Sequence, residues 1–204
     1  MSMKIAKMEA GIDVNKIAVI FPGIGYHKDK PLLYYAAKLA KQHGYEIISI
    51  EYHDMPQKIR GNSEMMAIAA ELAIVQSRDA LQNIPINSAT ELLLIGKSIG
   101  TIAAAHFAAE CDANIRQIWY TPLEATFTIG SQCPCIAFLG EDDPWSDVEK
   151  VKQMAETLHI PMDTYSGCNH SLECGDVMRN LEILQDVMEK TAVYLRNASP
   201  DQYA

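Results

Sequence analysis

The sequence predicts an α/β protein: a mostly parallel sheet of about six strands with helices on both faces. Three observations predict it. Short apolar runs alternate with longer amphipathic stretches along the whole chain, the rhythm of parallel strands joined by helical crossovers. The 204 residues are 49% apolar, enough to bury a sizeable core without disulfides or metal. No low-complexity tract, internal repeat or linker-like stretch interrupts residues 1–204, so one domain is expected.

The elements follow in order. Lys16 to Phe21 reads as a strand, and Pro31 to Gln42 as a helix with proline at its first position and Gly44 just past its end. Glu46 to Tyr52 is the next strand. Glu64 to Leu81 is a long helix, with Asn62 or Ser63 at its start to accept the unpaired N–H groups of the first turn. Glu91 to Ile95 is a strand without a polar interruption, and the small residues of Thr101 to Ala109 form the helix after it. Strands at Arg116 to Tyr120 and Pro134 to Leu139 precede a helix from Asp147 to Leu158. A strand from Met162 to Tyr165 and an amphipathic helix from Asp176 to Leu195 complete the set, with a frayed tail from Arg196 onward.

A net charge of -9 argues against a nucleic-acid partner or an anionic membrane surface, both of which require clustered Lys and Arg. Met1 to Gly11 lacks the apolar run of a signal peptide, and no stretch approaches the ~20 apolar residues of a membrane span. A soluble cytoplasmic protein is expected. Five cysteines without repeated spacing suit a reducing compartment. Cys168, His170 and Cys174 could be drawn as zinc ligands, but they lack the paired spacing of structural zinc modules, and no metal is expected.

The stretch richest in chemistry is Gly96-Lys97-Ser98-Ile99-Gly100, between an apolar strand and a small-residue helix. A strand that turns sharply into a helix lifts one hydroxyl above the sheet, and flanking glycines leave room for the turn. Ser98 is the candidate nucleophile. Two nucleotide-binding patterns fail nearby. A P-loop needs a glycine where Glu91 stands, and the dinucleotide fingerprint begun by Gly23-Ile24-Gly25 needs one at Lys28.

Ligands of open α/β sheets bind at the carboxyl ends of the strands. A serine, an acid and a histidine appear there in turn: Ser98, the Glu141-Asp142-Asp143 run, and His170 in the loop before the last helix. Serine needs a base to take its proton and an acid to fix that base in one tautomer. His170 is the candidate base. His43 and His159 sit in last turns of helices, His106 lies too far along its helix to meet Ser98, and His27 and His53 are strand-end residues within reach of a substrate. Asp143 is preferred as the acid, with Asp142 next, because Pro144 holds the residue before it out of helical conformation. The N–H groups of Ile24, with Gly25 as runner-up, and of Ile99 are the candidate oxyanion donors.

In these features the chain resembles the α/β-hydrolase family from about Lys16 to Leu195. Gly96 to Gly100 is similar to the family's elbow, Phe21 to Gly25 to its oxyanion loop, and Gly140 to Asp143 and Asn169-His170 to its acid and histidine loops. The resemblance implies a Ser-Asp-His hydrolase with no cofactor. Two departures stand out: Pro22 replaces the histidine common before the oxyanion-loop glycine, and Lys97 puts a cation beside the elbow.

Only Thr121 to Gln132 separates Tyr120 from Cys133, where many members of that family carry a helical lid, so a minimal, lidless form is expected. The site is then shallow and open, walled by Tyr26, Leu123, Phe127, Trp145 and Leu172, and suited to a small or exposed acyl group. Lys28 and Lys30 would favour an anionic substrate. The expected activity is cleavage of a carboxylic ester or thioester through an acyl-enzyme on Ser98. Its alternatives are dienelactone-type hydrolysis on the same triad, or a scaffold that binds a small ligand or partner without turning it over. A homodimer would pair through an edge strand or the last helix.

Overall fold

A computed structural model describes residues 16–111, 113–129 and 133–197. Its strands are β1 (Lys16–Phe21), β2 (Glu46–Ser49), β3 (Glu91–Lys97), β4 (Ile115–Tyr120), β5 (Cys135–Gly140) and β6 (Met162–Tyr165). All neighbouring pairs are parallel, in the order β2-β1-β3-β4-β5-β6. The order reverses beside β1 and β3, so a crevice opens at their carboxyl ends. The helices are α1 (Pro31–Gln42), α2 (Ser63–Leu81), α3 (Ile99–Glu110), α4 (Glu124–Ile129), α5 (Val148–Thr157) and α6 (Val177–Arg196).

Side chains on the central strands point alternately to the two faces, and each face finds its own helices. Ala18, Ile20, Leu93, Ile95, Ile118 and Tyr120 pack under α1 and α6. Ile17, Val19, Phe21, Leu92 and Leu94 pack under α2 and α3. Trp119, Ala137 and Leu139 meet Phe127 of α4 and Val151 of α5. Every residue of β3 and β4 is buried; Leu92 to Ile95 of β3 is a continuous apolar run, whereas β4 buries Arg116 and Gln117 ahead of Ile118 to Tyr120.

Caps fix the helix starts. Asn62 accepts the Met65 N–H, Asp147 accepts that of Lys150, and Asp176 accepts those of Met178 and Arg179. Along α6, Ile183, Val187, Thr191 and Leu195 recur every four residues and face the sheet. At the amino end of the strands, Glu91 receives Lys16 at 2.8 Å, Arg116 at 3.3 Å and the Tyr45 hydroxyl. Arg116 also donates to the Tyr194 carbonyl, which ties the last helix to the sheet.

Several boundaries differ from those read off the sequence. β2 stops at Ser49, because its partner β1 ends at Phe21 and runs into Pro22, which has no N–H. β3 runs on through Gly96 and Lys97, still paired with β4. The short connection after β4, for which no element was expected, contains α4, and Ile86–Ser88 form a 3-10 turn. No described helix is long and apolar enough to cross a membrane. The segment read for a signal peptide lies outside the described residues. Of the expected frayed tail, Arg196 closes α6 and residues 198–204 also lie outside the described residues.

Candidate active site

At the carboxyl end of β3 the chain turns directly into α3 at Ser98, whose φ of 56° and ψ of -125° lie where side-chain-bearing residues are strained. The surroundings hold that conformation in place. The Ser98 N–H donates to Tyr120 O at 3.0 Å, and Ser98 O accepts from the Thr101 N–H at 2.8 Å and its hydroxyl at 2.6 Å. The turn also needs Gly100: a β-carbon there would stand 2.1 Å from Phe21 O, so only glycine lets α3 start this close to β1.

The acid and histidine loops are built against each other. A β-carbon on Gly140 would lie 2.3 Å from Cys168 O, so the end of β5 touches the backbone that leads to His170. Asp142 N–H donates to Cys168 O at 2.9 Å, and Asn169 Oδ1 accepts the Ser171 N–H at 2.7 Å. These contacts aim the imidazole. His170 Nε2 lies 2.7 Å from Ser98 Oγ and Nδ1 lies 2.6 Å from Asp143 Oδ2. With Asp143 as carboxylate, Nδ1–H donates to it, and Nε2 is free to accept the serine proton.

Asp143 has no exposed side-chain surface, and its Oδ1 accepts the Trp145 N–H at 2.9 Å. Asp142, the runner-up, is exposed. His170 is pushed down from 6.5 to about 4, by burial first and by the nearby Lys97 cation second, with the Asp143 hydrogen bond opposing. The imidazole is therefore neutral at ordinary pH, the form a general base requires.

Ile24, Gly25, Tyr26, Ile99, Trp145 and His170 line a cavity of about 190 Å³ around Ser98. In the loop after β1, Gly23 and Tyr26 exchange their N–H groups with each other's carbonyls at 3.1 and 3.2 Å. The N–H groups of Ile24 and Gly25 lie outside that pair. Ile99 opens α3, where the first N–H groups have no acceptor four residues back in the helix. Trp145 stands over His170, with ring centroids 5.6 Å apart.

No protein-family model matches the sequence, and no curated protein does. Solved structures match over most of the chain. An α/β serine hydrolase homologue from Coxiella burnetii aligns with a TM-score of 0.66 at 17% identity, covering 93% of this chain and 88% of its own. An α/β serine hydrolase without a lid from Xanthomonas campestris gives 0.68 at 15%, covering 95% and 87%. An esterase from Pyrococcus furiosus gives 0.61 at 12%, covering 91% and 84%. The chain has the α/β-hydrolase fold. It is the small, lidless form, with α4 alone described between β4 and β5.

Within this α/β-hydrolase fold the structure gathers Ser98, Asp143 and His170 at hydrogen-bond distances, with Ile24, Ile99, Tyr26 and Trp145 on the cavity wall. It does not bring Leu123, Phe127 or Leu172 there. Leu123 is 4% exposed and packed in the core beneath α3, Phe127 packs edge-on against Trp119, and Leu172 lies in the core under α6. Apolar character alone does not tell a wall residue from a core residue. Lys28 pairs with Glu51 at 2.6 Å instead of facing Ser98. Cys168, His170 and Cys174 do not converge: among the described residues no group of three His, Cys, Asp or Glu could hold a metal ion.

Sequence reasoning missed Ile59 and Met66, which reach the cavity from the loop after β2 and from α2. Lys97 was visible only as a cation beside the elbow. It is 1% exposed, lines the cavity, and lies with Nζ 4.8 Å from the centroid of the Tyr26 ring. Burial pulls it from 10.5 down to about 7 against the attraction of Asp143. A second hollow of about 570 Å³, lined by His27, Lys28, Tyr52 and His53, shares Ile24 and Gly25 with the first.

Proposed function

We propose that this protein is a serine hydrolase that cleaves a carboxylic ester or thioester of a small or exposed acyl group through an acyl-enzyme on Ser98. The observation that carries the reading is the unbroken relay of two short hydrogen bonds, Ser98 to His170 at 2.7 Å and His170 to Asp143 at 2.6 Å, at the wall of a cavity. His170 Nε2 takes the hydroxyl proton as Ser98 Oγ attacks the carbonyl carbon, and the Asp143 carboxylate stabilises the imidazolium that forms. The N–H groups of Ile24 and Ile99 receive the developing negative oxygen. The imidazolium gives its proton to the leaving alcohol or thiol. Water, deprotonated by the same imidazole, then attacks the acyl-serine and releases the acid.

The cavity limits the acyl group. At about 190 Å³ the cavity is small, which favours a short acyl chain. Labelling with a fluorophosphonate probe, together with turnover of p-nitrophenyl butyrate, tests the reading in wild type and in Ser98→Ala. Label and turnover that both depend on Ser98 are expected. A wild-type chain that takes no label and turns over no short ester would leave a ligand-binding scaffold as the better account.

A further inference from the structure

The cavity beside Ser98 contains a cation that the reaction steps leave unused. Lys97 is buried to 1% exposure but lines the cavity. Its Nζ lies over the face of Tyr26, 4.8 Å from the ring centroid. No ion pair or hydrogen bond among the described residues engages it. Asp143 attracts it from a distance, but the two carboxylate oxygens are committed, Oδ1 to the Trp145 N–H and Oδ2 to His170. A desolvated ammonium whose one described partner is an aromatic ring face is an incomplete site, because the ring offers no hydrogen-bond acceptor or full negative charge to replace the water it has lost.

Lys97 is the one full positive charge on the wall: His170 is neutral, and the N–H groups of Ile24 and Ile99 are taken by the oxyanion of the reacting carbonyl. Ile24, Ile59, Met66, Ile99 and Trp145 give the wall an apolar lining, and a low-dielectric lining strengthens any charge pair formed inside. We propose that Lys97 selects the acyl group: the ester or thioester cleaved at Ser98 bears a carboxylate on a short acyl chain, and that carboxylate pairs with the Lys97 ammonium. The inference rests on the hydrolase reading of the same site. The small cavity, about 190 Å³, favours a short dicarboxylic acyl group, on the order of four carbons. The leaving group has its own room in the adjoining hollow beyond Ile24 and Gly25. A lysine drawn down to about 7 also gains most from such a ligand, because a bound carboxylate restores the charged form that burial disfavours.

Monoethyl succinate and ethyl butyrate differ by a carboxylate at the end of an acyl chain of the same carbon count, and titration of released acid follows both. Wild type is expected to show kcat/KM at least tenfold higher for monoethyl succinate, and Lys97→Met to bring that ratio to one or below, with Lys97→Arg intermediate. A lysine that acts only by tuning His170 would change both esters together. A wild-type ratio at or below one, or a ratio that neither variant moves, overturns the proposal. Absence of turnover with either ester counts against the hydrolase reading instead, and binding then tests Lys97 separately. Calorimetry with the Ser98→Ala chain should show monoethyl succinate binding at least tenfold tighter than ethyl butyrate, a preference lost in Ser98→Ala/Lys97→Met. Equal binding overturns the proposal whatever the chemistry at Ser98.

Discussion

Replacing Lys97 with methionine removes a buried ammonium while keeping an unbranched side chain, so the stability of Lys97→Met measures what the lysine costs the fold. The lysine falls from 10.5 to about 7 on burial. At about 1.36 kcal/mol per unit, the folded chain holds protonated Lys97 on the order of 5 kcal/mol less favourably than the unfolded chain does. The unfolded chain therefore binds more protons between about 7 and 10.5, and wild-type stability rises with pH through that window. Near pH 6 the full penalty applies. Near pH 9 folding requires only deprotonation from 10.5, a cost of about 2 kcal/mol. The advantage of Lys97→Met should thus shrink by about 3 kcal/mol between these conditions, or roughly 6–12 °C in Tm for a chain of this size. His170 is held near 4 in the wild type; loss of the Lys97 cation raises it in Lys97→Met, which eases its deprotonation cost near pH 6 and so widens the same gap, with no effect near pH 9. Thermal melts by circular dichroism at the two pH values read the difference. A Tm gap that is the same at both, or a wild type more stable than Lys97→Met near pH 6, would refute the electrostatic account.

Three further outcomes follow from the same geometry. Asp143→Asn should lower kcat on p-nitrophenyl butyrate by about 10⁴-fold through loss of the correct imidazole tautomer, whereas Asp142→Asn, at an exposed side chain, should change it little; the opposite ranking would move the acid by one residue. Because the base works neutral and His170 lies near 4, kcat/KM should rise with pH through about 4 and be level by neutrality. A rising limb near 6.5 would contradict that, and Lys97→Met should move the limb upward by removing the neighbouring cation. Gly100→Ala should fail to yield folded protein or melt far below wild type, since its β-carbon would meet Phe21 O at 2.1 Å; a melt within a few degrees of wild type would mean that α3 is free to retreat from β1.

The sheet was legible because Ile17 to Phe21, Leu92 to Ile95 and Cys135 to Leu139, in strands covered on both faces, are continuous apolar runs, and Ile118 to Tyr120 marks β4 despite Arg116 and Gln117 before it. The elbow was legible because its chemistry is local: Gly96 to Gly100 announces a tight turn wherever it lies between a strand and a helix. Ser98, Asp143 and His170 could be brought together on paper because each follows a parallel strand, and parallel strands deliver their carboxyl ends to one rim. The cavity wall was not legible in the same way. Leu123, Phe127 and Leu172 have the composition of wall residues, yet whether a side chain points into a cavity or into the core depends on backbone angles, such as the positive φ of 57° at Leu172, that composition does not report. Ile59 and Met66 were missed for the converse reason: they enter from the segment after β2, far from any motif. α4 escaped notice because it is a short helix whose buried face amounts to Thr126 and Phe127.

The two ends of the sheet treat buried charge in opposite ways. At the amino end, burial would raise Glu91, but hydrogen bonds from Lys16 and Tyr45, with Arg116 behind them, outweigh it and hold its carboxyl below the ordinary range. That charge is satisfied from within the chain. At the carboxyl end, Lys97 is buried more deeply and given a ring face in place of a carboxylate. Most of the side-chain-bearing residues with positive φ lie at the same end: Asp54, Lys58, Ser98, Thr121 and Leu172 are on segments that leave β2, β3, β4 and β6, whereas His159 precedes β6. A chain that can surround Glu91 with partners is not short of means to pair a lysine. The strained turn at Ser98 and the unmet charge of Lys97, side by side on the rim that carries Asp143 and His170, are costs the fold bears where a ligand would offset them.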